Sequence, residues 1–86
     1  MRLFDGLIDR NTVSILRHFV KNSRDIFHIT QVSQLTGVSP ATTFRIINRL
    51  VRSDILEIQR ISKMKVYRLK ITAKTKIFMK NPRWLE

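Results

Sequence analysis

Four consecutive residues, Gly37-Val38-Ser39-Pro40, constrain this 86-residue chain more than any other feature. Gly reaches the left-handed backbone conformation that closes a helix without steric cost, so Gly37 reads as a helix end. Ser39 reads as the N-cap of the next helix, because its hydroxyl can accept from first-turn amides. Pro40 reads as that helix's first residue, where its missing N–H would be unpaired in any case. Between the two signals lies only Val38. Two helices must therefore meet at a tight turn, and the second begins at Pro40 and runs to about Ser53.

The second helix divides by face. At about 3.6 residues per turn, Thr43, Ile46, Ile47, Leu50 and Asp54 fall on one side. Ala41, Thr42, Arg45, Asn48, Arg49 and Arg52 fall on the opposite side, with Phe44 and Val51 sharing a flank. Thr43, Ile46, Ile47 and Leu50 of the first group are the expected core face. Upstream, Asp9 is the expected N-cap of a helix over about Arg10–Asn22, with Thr12, Leu16, Phe19 and Val20 at helical spacing and Ile15 flanking them. Asn22-Ser23-Arg24-Asp25 reads as a turn and Ile26-Phe27-His28-Ile29 as a short β-prone piece. Thr30 is the expected cap of a short helix over about Gln31–Thr36, with Val32 and Leu35 inward.

Downstream, Ile55–Ile61 and Lys65–Ile71 are β-branched and apolar enough for strands, joined through Ser62-Lys63-Met64 as a hairpin. Thr72 is placed to cap a last helix of about Ala73–Lys80, stopped by Asn81-Pro82. The expected fold class is α+β, mostly helical: a winged helix-turn-helix. It has a three-helix core, a short strand plus β-hairpin wing, and a C-terminal helix. Residues 1–86 are expected to form a single domain, with 72–86 as C-terminal helix and tail.

Charge and composition narrow the partners. Lys and Arg number 17 against 6 Asp and Glu, a net charge of +11 that attracts polyanions. Residues 1–44 carry five basic and three acidic groups, whereas residues 45–86 carry twelve and three, so the anion is expected at the C-terminal half. There is no Cys, which removes disulfides and thiolate metal sites. The two histidines, His18 and His28, have no neighbours that complete a metal-ligand set. No nucleophile–base arrangement, phosphate-cradling Gly loop or carboxylate pair can be assembled, so enzymatic activity and cofactors are not expected. No apolar run is long enough to span a bilayer, and a cytoplasmic, nucleoid-associated setting is expected.

The stretch Ser33-Gln34-Leu35-Thr36-Gly37-Val38-Ser39-Pro40-Ala41-Thr42-Thr43-Phe44-Arg45-Ile46-Ile47-Asn48-Arg49-Leu50 resembles the helix-turn-helix of bacterial and archaeal winged-helix regulators. It is similar to the N-terminal domains of the IclR type and to the MarR/ArsR type. Asp54-Ile55-Leu56-Glu57 and Val66-Tyr67-Arg68-Leu69 are similar to the strand-turn-strand wing of those proteins. Two positions depart from the pattern: Thr43 stands where a branched apolar residue is usual, and Asp54 where a glycine is common. IclR-type proteins carry an effector domain after this module, and no small-molecule effector is expected here. The resemblance implies double-stranded DNA binding and transcription regulation.

The residues themselves give the same direction. A helix in the major groove must present groups for base edges and phosphates together, and Arg and Asn suit guanine and adenine edges respectively. The outward arc holds three arginines and no acid, whereas a merely solvated face tends to mix signs. Thr42, Arg45 and Arg49, with Asn48, are the expected base-reading residues. Ser39, Ala41 and Arg52 are expected on the DNA backbone, together with Arg60, Lys63, Lys65 and Arg68 of a wing over about 56–71. Leu3, Phe4, Leu7, Ile77, Phe78, Trp84 and Leu85 exceed what a thin core absorbs, and are expected to form a homodimer interface. Competing readings are an architectural protein that coats DNA without base selectivity, and a winged-helix protein-interaction module using Phe44 and Val51. RNA binding is disfavoured, because side chains cannot read an A-form major groove.

Overall fold

Each helix starts where a side chain satisfies its free amides. In the computed structural model, which describes residues 9–80, Asp9 Oδ1 accepts from the Thr12 amide at 2.8 Å and opens α1, Arg10–Lys21. The expected stripe, Thr12, Leu16, Phe19 and Val20, is buried, and the flanking Ile15 is buried with it. The second helix, α2, spans Ile29–Thr36, and its cap is His28, not Thr30. The His28 imidazole Nδ1 accepts from the Gln31 amide at 3.2 Å, and Gln31 Oε1 accepts from the His28 amide at 3.0 Å. This reciprocal pair satisfies two amides at once, an arrangement Thr30 could not make with Ser33, whose hydroxyl is turned to the Val38 carbonyl.

The earlier start brings Ile29 into α2, and Ile29, Val32 and Ser33 stand at helical spacing toward the core, with Val32 and Ser33 buried. Leu35, expected inward, falls off that stripe and is 64% exposed. The same start shortens the β-prone piece before it to one bridging residue. Phe27 exchanges both backbone hydrogen bonds with Tyr67, at 2.9 and 2.8 Å.

Gly37 adopts φ 77 and closes α2, and Ser39 opens α3, Pro40–Arg52, with Pro40 in its first turn. Thr43, Ile46, Ile47 and Leu50 are buried as expected. Asp54 lies past the end of the helix. Ile55 N–H reaches the Leu50 carbonyl at 2.9 Å and Asp54 N–H the Val51 carbonyl at 3.0 Å, the paired bonds of a Schellman stop. That stop puts Asp54 at φ 66, exposed, in the position a glycine commonly fills.

Strands β1, Leu56–Ile61, and β2, Met64–Leu69, form an antiparallel hairpin pairing Leu56 with Leu69 at the root and Ile61 with Met64 at the tip. Both strands are shorter than expected, and the connection is only Ser62-Lys63. Ser62 takes φ 58, which fits a two-residue turn that needs a positive φ at its first central position. Leu56, Tyr67 and Leu69 share one face of the ribbon and lie in the core with α1 and α3. The last helix, α4, covers Ala73–Lys80, and Thr72 Oγ1 accepts from the Thr75 amide at 3.2 Å to cap it. The order helix, helix, turn, helix, hairpin, helix is the expected winged helix-turn-helix.

Candidate nucleic-acid interface

The turn between α2 and α3 fixes the angle at which α3 is presented. Its keystone is the Val38 carbonyl, which accepts the Ser33 hydroxyl of α2 at 2.6 Å and the Thr43 hydroxyl of α3 at 3.3 Å. Val38, Ser33 and Thr43 are all buried. One buried acceptor thus ties the two helices together, which accounts for a polar residue at position 43 in an otherwise apolar stripe.

With its apolar side held this way, α3 exposes Ala41, Arg45, Arg49 and Arg52, while Thr42 and Asn48 are half-buried. Arg45 leans back on Thr42, its guanidinium donating to Oγ1 at 3.4 Å. None of Arg45, Arg49 and Arg52 has an ion-pair partner among the described residues. A shallow concavity on the helix is lined by Phe44, Arg45, Asn48, Arg49 and Arg52. The two flank residues separate here: Val51 packs against the core, whereas Phe44 is 54% exposed beside the arginines. Helical phase alone left these two residues alike. The Asp9 carboxyl is held below its ordinary range mainly by the Thr12 amide, with attraction from Arg49 and Arg45 adding to it. The start of α1 therefore sits at the edge of the basic face.

The hairpin carries two kinds of cation. At its root, Arg68 is bound to Glu57 across the ladder and Lys70 to Asp54 at 2.7 Å. Asp54 raises the Lys70 ammonium above its usual value by hydrogen bonding to it. At the tip, Arg60 and Lys65 face each other directly in the register and Lys63 occupies the turn. All three are exposed and lack an ion-pair partner among the described residues. The expected wing cations are thus split: three at the tip are free to meet an anion, and Arg68 is already engaged. Reading that pairing from sequence would have required the register.

Of the residues expected at a dimer interface, Ile77 is 66% exposed on α4, whereas Phe78 packs against the chain's own core. Leu3, Phe4, Leu7, Trp84 and Leu85 lie outside the described residues. His18 sits edge-on to Phe19 and Phe27 rather than near any ligand set, and no cluster of three metal-binding side chains occurs among the described residues. No described helix is long and apolar enough to cross a membrane.

Solved structures share this arrangement. A predicted DNA-binding transcriptional regulator from E. coli aligns with a TM-score of 0.72 at 19% identity, over 91% of this chain and 80% of its own. The adhesin competence repressor of Streptococcus pyogenes aligns at 0.69 and 17%, over 92% of this chain and 57% of its own. A MarR family transcriptional regulator from Silicibacter pomeroyi aligns at 0.66 and 16%, over 92% and 57% respectively. At these identities the likeness is one of fold. No curated protein matches the chain in sequence. The sequence model of the IclR helix-turn-helix domain matches residues 10–60, more than half of the 86, and the chain belongs to that family.

Proposed function

We propose that the chain is a sequence-specific, double-stranded DNA-binding transcription regulator, with α3 in the major groove and the β1–β2 hairpin on the flanking backbone or minor groove. The observation that carries this reading is the face of α3. It has three arginines with no acidic ion-pair partner among the described residues, held outward by a buried polar lock at Val38. Charges with no internal partner on a rigid helix suit phosphates and base edges. Thr42, Arg45, Arg49 and Asn48 are assigned to bases. Ser39, Ala41 and Arg52 are assigned to the backbone, with Arg60, Lys63 and Lys65 of the wing. Arg68 would join them only by leaving Glu57. A homodimer through α4 and the terminal segments would set two such helices on half-sites about 34–36 Å apart, and exposed Ile77 supports that use of α4.

Selection of bound sequences from a random duplex pool tests the reading, repeated with Arg45→Ala and Lys63→Ala. A consensus should emerge, and it should be palindromic for a dimer. Arg45→Ala should relax one position at a cost of about 1–3 kcal/mol there, whereas Lys63→Ala should weaken all sequences alike and reduce the salt slope by about 1. A pool that yields no consensus would leave an architectural, base-indifferent protein in its place. No binding to duplex at all would remove DNA from the account.

A further inference from the structure

We infer that the wing tip is an apolar wedge: Ile61 and Met64 enter the minor groove, part a base step and bend the duplex. This rests on the DNA-binding reading above and adds to it an activity that groove contact alone does not imply.

Ile61 and Met64 are the last cross-strand partners before the turn, so their side chains lie together on one face of the ribbon. They are 44% and 49% exposed, on a finger whose neighbours Arg60, Lys63 and Lys65 are all charged. A hairpin tip that needed only solubility would carry polar groups there, since exposed strand ends are normally protected by charge. Here the charge is present on one face of the tip, and a paired apolar surface occupies the other.

The distribution of charge says what that surface meets. The root cations are neutralised by Glu57 and Asp54, but at the tip Arg60 and Lys65 stand directly opposite one another. Like charges in that relation repel. A polyanion relieves the repulsion and draws the tip toward phosphate. Adjacent pairs of a ribbon point to opposite faces, so Arg60 and Lys65 would hold phosphate on one side of the tip while Ile61 and Met64, on the other, meet the base stack. Ile and Met are side chains suited to slipping between stacked bases.

A wedge must also be stiff. The connection has only two residues, and Leu56, Tyr67 and Leu69 bury the root. Both backbone hydrogen bonds between Phe27 and Tyr67 hold the root to the helical core. Force at the tip is therefore carried into the core rather than absorbed by the loop. Unstacking is least costly at pyrimidine–purine steps, so the wing would add sequence preference at a place where no hydrogen bond reads a base.

The test measures bending and affinity separately. The full chain is bound to a short duplex labelled at both ends with an energy-transfer pair, carrying a central TA step or a central AA step. The wild type should bend the TA duplex by about 20–90° and prefer it to the AA duplex. Ile61→Ser with Met64→Ser, whose fold is checked by circular dichroism, should lose the bend and the TA preference while keeping the same salt slope. Arg60→Ala with Lys65→Ala should lower affinity and flatten the salt slope, yet still bend DNA at saturation. A duplex that stays straight when saturated with wild type overturns the wedge and leaves DNA binding standing. Absence of duplex binding overturns both. Binding to phosphatidylserine vesicles that needs Ile61 and Met64, with DNA left straight, overturns the wedge in favour of a bilayer.

Discussion

Removing the two hydroxyls that converge on Val38, singly and together, tests whether one carbonyl sets the helix-turn-helix angle. Ser33→Ala takes away the 2.6 Å donor and leaves the 3.3 Å one. A hydrogen bond of this kind contributes about 0.5–1.5 kcal/mol net, and the shorter one belongs near the upper end, so a loss of ~1 kcal/mol is expected. Thr43→Val replaces the hydroxyl with a methyl of similar size at a fully buried site, so no cavity opens. With the longer bond lost and Ser33 still donating, ~0.5 kcal/mol is expected. In the double variant the carbonyl has no side-chain donor, and an unsatisfied buried acceptor costs about 1–3 kcal/mol. The double should therefore lose about 1 kcal/mol more than the two singles added together, within the range seen for residues sharing one network. Urea and thermal unfolding followed by circular dichroism measure this. Each ~1 kcal/mol should move the midpoint by roughly 4–8 °C in a domain of this size. Additivity within about 0.3 kcal/mol would refute the shared-acceptor argument, because each hydroxyl would then be acting on its own.

Two further outcomes are expected. Asp54→Ala and Asp54→Gly lose the Lys70 contact equally, but only Ala suffers at φ 66; the Ala variant should be less stable than the Gly variant by about 1 kcal/mol in urea unfolding, and equal midpoints would show the left-handed backbone to be costless. Burial against Phe19 and Phe27 pushes the His18 imidazole below its usual value of 6.5, with Asp25 drawing it partly back. Below pH 6.5 the unfolded chain therefore binds the proton more readily than the folded one, and stability should fall as pH drops from there until the folded imidazole also protonates. His18→Leu should flatten that slope, and an unchanged slope would move its origin to another group.

The signals legible in the sequence were those that act within a few residues. Asp9, Gly37, Ser39 with Pro40, and Thr72 each end or start a helix as expected, because a cap depends on one side chain and the amides beside it. Where two local solutions compete, the sequence is silent on the winner. Thr30 is a better cap by type than His28, but Gln31 completes a reciprocal bond only with His28. With Ile29 inside the helix the buried stripe runs through Ile29, Val32 and Ser33, and Leu35 lies off it. The helical period continues on paper past Arg52, whereas Leu50 and Ile55 stop the helix by bonding to each other and entering the core. The basic arc of α3 could be drawn from periodicity, since exposure follows from the apolar stripe opposite. The division of the wing cations into paired and free could not, because it depends on which residues stand across a hairpin whose turn proved shorter than expected.

The bond pair between Phe27 and Tyr67 has a geometric meaning beyond holding the hairpin root. It lies between the turn at 22–24 and the start of α2, so it acts as the fixed jaw of a caliper whose arms are α3 and the wing. Residues added to or removed from that turn lie outside the jaw, and the gap between the arms keeps its width. A residue inserted between Phe27 and Ile29 would instead change the span of the caliper and the length of duplex it fits. The turn is therefore where this domain is free to vary in length, and the step from Phe27 to Ile29 is where its gauge is set.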